Sequence, residues 1–163
     1  MSIGRTFLPE GIEVGNLHDH GSSKRSSEVA ELLLNRRTGL GNPFQLARDE
    51  ARRPQILGAH EAFFRMIRQG TPVGRQEIKE VARIWGLDPG IHIAWDWCQE
   101  WVLPGQGGRV RAQYQQLVDW GRQRYRSRNQ VGVRFMCGCA PWGCHTQVIG
   151  WCLIDDVGQT DPG

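Results

Sequence analysis

The apolar positions of this chain follow two periods. In residues 131–136, Val131, Val133 and Phe135 alternate with small or polar residues, the two-residue period of a half-buried strand. A second short strand is expected over 12–17, and residues 28–35 are too few for periodicity to choose between strand and helix. Elsewhere the period is helical. Residues 53–67 carry Pro54 in a first turn, where its missing N–H does no harm, and place Ile56, Ala59, His60, Phe63, Phe64 and Ile67 on one stripe. Residues 71–85 repeat the pattern with Ile78, Val81, Ala82 and Trp85, and Gly86 is a stop signal. Residues 91–101 form a tryptophan-rich helix. Residues 109–128 form a long one with Tyr114, Leu117, Val118, Gly121 and Tyr125 inward.

After the strand at 131–136 the pattern becomes helical again at Val148, Ile149 and Cys152, with Cys144-His145-Thr146 where a first helical turn would begin. The expected fold class is α/β: a single small domain with a mixed or parallel sheet packed by helices and a C-terminal strand, Cys loop and helix. Its expected boundaries are a loosely ordered segment at 1–28, the domain at 29–154 with a helical insertion at 70–129, and a tail at 155–163.

At 163 residues the chain is long enough for one substantial core. It contains no run of 18 apolar residues and no hydrophobic signal core at its start, so a cytoplasmic protein with no membrane partner is expected. Five cysteines, clustered rather than spaced, argue against a disulfide framework. Net charge is only +3, which does not demand a nucleic-acid partner. Lys24 and Lys79 are the only lysines among 20 basic residues, so arginine, whose planar fork suits phosphate and carboxylate, supplies the rest.

Candidate chemistry gathers at residues 137–145, which hold three cysteines and a histidine. Cys137, Cys139, Cys144 and His145 are a three-sulfur, one-nitrogen set of the kind zinc accepts. Adjacent residues on a helix point about 100° apart, so Cys144 and His145 share one metal only if one of them precedes the helix. An iron–sulfur cluster is the lesser option and needs a fourth thiolate such as Cys98 or Cys152. Alternatively Cys144 and His145 are a nucleophile and its base, since a helix start attracts anions and stabilises a thiolate. A second feature is the turn at 36–44, where Arg37, Gly41 and Asn42, with Arg53 beyond, could cradle an anion. Asn42 must be extended because it precedes Pro43. Lone histidines at 18 and 20 read as surface residues, and His60 as a core residue. Residues 82–101 imitate a helix-turn-helix, but Trp95, Asp96, Trp97, Glu100 and Trp101 make an acidic, aromatic face that is a poor reader of DNA.

Three pieces taken in order resemble a known family: Gly41-Asn42-Pro43-Phe44; Arg53 opening a helix that closes with Phe63-Phe64; and Cys137 to His145 with Val148-Ile149 behind it. Together they are similar to the bacterial and phage family called domain of unknown function 4326, over about residues 29–154. Thr146 stands where that family usually has glycine, His60 where it has tyrosine, and Leu40 where it has tryptophan. The resemblance implies a relative rather than a reaction, with nucleotide or DNA metabolism as its associated context.

Two functions stay open on this reading. One is an enzyme acting on an anionic, nucleotide-like or phosphorylated substrate, with Cys144 and His145 at its centre and Arg37, Gly41, Asn42 and Arg53 binding the substrate. The other is a zinc-stabilised module that binds nucleic acid or protein without catalysis, its helix at 109–128 meeting the nucleic acid.

Overall fold

A computed structural model describes residues 12–16, 29–33, 36, 39–126, 132–137 and 145–158. In chain order the elements are β1 (Ile12–Asn16), β2 (Val29–Leu33), a 3-10 turn (Glu50–Arg52), α1 (Arg53–Gln69), α2 (Arg75–Ile84), α3 (Trp95–Trp101), α4 (Gly108–Arg126), β3 (Gly132–Cys137) and α5 (His145–Gly158). The chain divides into two compact units, Arg36–Tyr114 and Met1–Asn35 with Gln115–Gly163, and the second of their two boundaries falls inside α4.

The α/β fold class expected from the sequence is corrected. Among residues described to their side chains, 66% are helical and none lies in a strand, so helices, not a sheet, carry that part of the core. The physical reason is the three-to-four-residue apolar period that runs through residues 53–123, against strands of only five or six residues. The strand order is β1-β3-β2 with both pairings parallel.

In the Arg36–Tyr114 unit, α1 supplies the buried stripe. Ile56, Ala59, His60, Phe63, Phe64 and Ile67 are all buried. Phe63 meets Phe44 edge-on with ring centroids 6.3 Å apart, Phe64 meets Tyr114 at 4.8 Å, and His60 stacks on Phe64 at 5.6 Å. His60 is thus a core ring, fully buried among phenylalanines. α1 ends on Gly70 at φ 71°, where the Thr71 N–H returns to the Met66 carbonyl at 3.0 Å. That cap and Pro72 delay α2 to Arg75 instead of the expected 71, because the residue before a proline is driven out of the helical region.

The expected helix at 91–101 is also shortened, to Trp95–Trp101. Residues 91–94 are held by other partners. The Asp88 carbonyl accepts the Ile91 and His92 N–H groups at 3.0 and 2.7 Å, and Ile93 forms an antiparallel bridge with Phe44. On either side of that bridge, Gln45 N–H donates to the His92 carbonyl and Ala94 N–H to the Pro43 carbonyl, each at 2.9 Å.

In the second unit α5 packs against β1 and β3, and Val148, Ile149, Cys152 and Leu153 are buried. The Gln115–Arg126 part of α4 approaches α5 closely at Gly121. A Cβ there would stand 3.0 Å from Val157 Cγ2 and 3.6 Å from Leu153 Cδ1.

Candidate functional site

β3 is the central strand of the three. Cys137 is the last residue of β3 and the register partner of Asn16, the last residue of β1. On the other side Met136 is in register with Leu33, the last residue of β2. The three strands therefore end within one residue of one another in register. α5 begins at His145, whose side chain is 6% exposed. Over 14 residues its aligned peptide dipoles put partial positive charge, and first-turn N–H groups, at that start.

Cys139 and Cys144, like Arg37, lie outside the described residues. His145, the first residue of α5, follows Cys144 directly in sequence. Three thiolates with one imidazole are a donor set zinc accepts, and Cys137 and His145 are its two described members. Among the described residues alone, no group of three or more His, Cys, Asp or Glu side chains is placed to hold a metal ion.

The Asn42 turn belongs to the other unit and has its own geometry. Asn42 Oδ1 accepts the Phe44 N–H at 2.9 Å, closing an Asx turn across Pro43. Arg36 grips the same turn, its Nε donating to the Asn42 carbonyl at 2.9 Å and an Nη to the Phe44 carbonyl at 3.2 Å. The Arg36 carbonyl in turn accepts the Trp97 indole N–H at 2.8 Å. Gly41 lies so near Arg36 that a Cβ would collide with the Arg36 backbone. Arg53 meets Glu50 at 2.7 Å, a pairing within one turn of chain. Asn42 and Arg53 are thus each engaged with near neighbours in sequence.

Of the two arginines that precede the turn in sequence, Arg36 grips it through the Asn42 and Phe44 carbonyls. Arg36 had no local signal, because its partners are backbone carbonyls six and eight residues on. Cys98 and Cys152, the spare thiolates considered for a cluster, are both buried. Burial pushes the Cys98 thiol from 9.0 up to about 12, with Arg36 and Arg75 pulling it partly back, so it stays protonated at neutral pH. No described helix is long and apolar enough to cross a membrane.

No curated protein and no solved structure matches the chain. The description of one family does match, over residues 16–153, a span that begins at Asn16 on the sheet edge and runs into the buried stripe of α5. The chain belongs to the family Domain of unknown function (DUF4326).

Proposed function

We propose that this protein is an enzyme acting on a nucleotide-like or phosphorylated substrate near the start of α5. Cys144 is its nucleophile and His145 the base beside it. The observation that carries this reading is the start of α5 at His145, one residue after Cys144, downstream of the central strand. A thiolate at a helix start is stabilised by the dipole and the first-turn N–H groups, and the same groups attract an anionic substrate. Arg37, Gly41, Asn42 and Arg53 are not required in this reading. A bacterial or phage setting, in the cytoplasm and in nucleotide or DNA metabolism, is part of the same proposal.

A second reading draws on the same cluster of residues. Cys137, Cys139, Cys144 and His145, within nine residues of sequence, would close on one zinc and make the stretch a structural site in a nucleic-acid or protein-binding module. Mapping iodoacetamide labelling by mass spectrometry at pH 6, with and without chelator, separates the two. The enzyme reading expects fast labelling of Cys144 without chelator, well below the ordinary thiol value of about 8.5. Labelling only after chelation transfers the stretch to the zinc module, and no labelling in either condition in folded protein removes both readings.

A further inference from the structure

Among the described residues, the large apolar side chains left exposed all fall in residues 84–91: Ile84 is 70% exposed, Trp85 39% and Ile91 52%. The helical period places Trp85 inward with Ile78, Val81 and Ala82, yet it is covered only in part. Its ring lies on α1 at Gly58, where a Cβ would collide with it. The backbone that carries these side chains is pinned. The Trp85 N–H donates to the Val81 carbonyl at 3.2 Å and the Leu87 N–H to the Ala82 carbonyl at 2.8 Å, closing the end of α2. The Ile91 N–H donates to the Asp88 carbonyl at 3.0 Å, and the Ile91 carbonyl accepts from the Gln45 carboxamide at 2.9 Å. Apolar side chains held outward on a fixed backbone have little ordering left to lose when they are covered, which suits an interface.

The charges around these side chains point to the occupant. Residues 75–91 carry Arg75, Lys79 and Arg83 against Glu77, Glu80 and Asp88, so the two signs cancel. A polyanion or an anionic membrane surface is drawn by an excess of basic residues, which this segment lacks. At about 100° per residue, Glu80, Arg83 and Ile84 fall on the side of α2 opposite the buried Ile78, Val81 and Ala82, and all three are exposed. Arg53 with Glu50 and Arg122 with Asp119 pair at the same spacing, whereas Glu80 and Arg83 meet no ion-pair partner among the described residues. An apolar centre flanked by one charge of each sign is complementary to itself, because a twofold rotation brings the acid of one copy to the base of the other. We propose that this face is a homodimer interface: two copies of the chain cover Ile84, Trp85 and Ile91, their α2 helices run antiparallel, and Glu80 of each copy meets Arg83 of the other. The proposal is independent of the chemistry assigned to Cys144.

The test is sedimentation equilibrium of the full chain from about 1 µM to about 1 mM. The natural protein is expected to pass from monomer to dimer in that range, and Ile84→Asp to weaken association by about tenfold or more. Glu80→Arg and Arg83→Glu each set like charges across the twofold, so each alone is expected to stay monomeric where the natural protein is dimeric. Mixed in equal amounts, these two variants are expected to associate again as a heterodimer, because each offers the other opposite charges at both contacts. A variant that has merely lost its fold does not recover on mixing, so this arm separates an interface from structural damage. A natural protein that stays monomeric throughout overturns the proposal and leaves the face to a different partner. Association that all three variants leave unchanged places the interface elsewhere and overturns it as well, and so does failure of the mixed variants to associate.

Discussion

Cys98 sits on α3 with no exposed surface, and its thiol is raised by burial from 9.0 to about 12. The folded chain therefore holds this proton more tightly than the unfolded chain does. The stability the group contributes is complete below pH 9.0 and is lost as the pH rises towards 12, at up to about 1.4 kcal/mol per pH unit. Urea unfolding at pH 8 and at pH 10 is expected to show a larger alkaline loss in the natural protein than in Cys98→Ala. Equal losses in the two proteins would show that the thiol ionises without unfolding. Nothing in the neighbourhood Trp97-Cys98-Gln99 announces this, because the shift depends on what surrounds the sulfur and not on the residues beside it. His60 was legible, since its helical stripe was apolar. Asn42 was legible as a turn residue before a proline, but the direction of its oxygen, into its own turn at Phe44, was decided by local hydrogen bonding.

At the scale of elements, helix interiors were readable and several helix starts were not. The stripes of α1 and of α4 follow from spacing, whereas α2 and α3 begin four residues later than expected, because the Gly70 cap and the Phe44–Ile93 bridge claim the backbone ahead of them. The turn ahead of α1 shows how a connection becomes part of the packing. Gly39 has φ 83°, and a Cβ there would run into the Trp101 ring at the end of α3. Gly39→Ala is expected to cost about 2–4 kcal/mol, the left-handed backbone and the overpacking together. Urea denaturation measures it, and a loss under about 0.5 kcal/mol, the size of an ordinary surface change, would mean that the turn and ring shift freely. Trp101→Ala in the same background should recover only the part due to the ring.

For the whole molecule, chelation is the informative perturbation. With Cys144 as a nucleophile, removal of metal is expected to leave the unfolding midpoint unchanged. A fall in the midpoint with release of about one zinc per chain would instead assign Cys137, Cys139, Cys144 and His145 to a structural site, since a metal that binds only the folded chain adds its binding free energy to stability. Elemental analysis of untagged protein alongside a thermal melt reads both quantities. The family, the helical stripes, the strand ahead of Cys137 and the helix behind it were present in the sequence, because each is written in local spacing or in a contiguous motif. The dominance of helix and the division into two units came from tertiary packing. So did the parallel register that sets Asn16 beside Cys137 and the choice of Arg36 as the clamp on the Asn42 turn. Each of these depends on which distant backbone groups find one another, and a residue's own neighbours in sequence do not encode that choice.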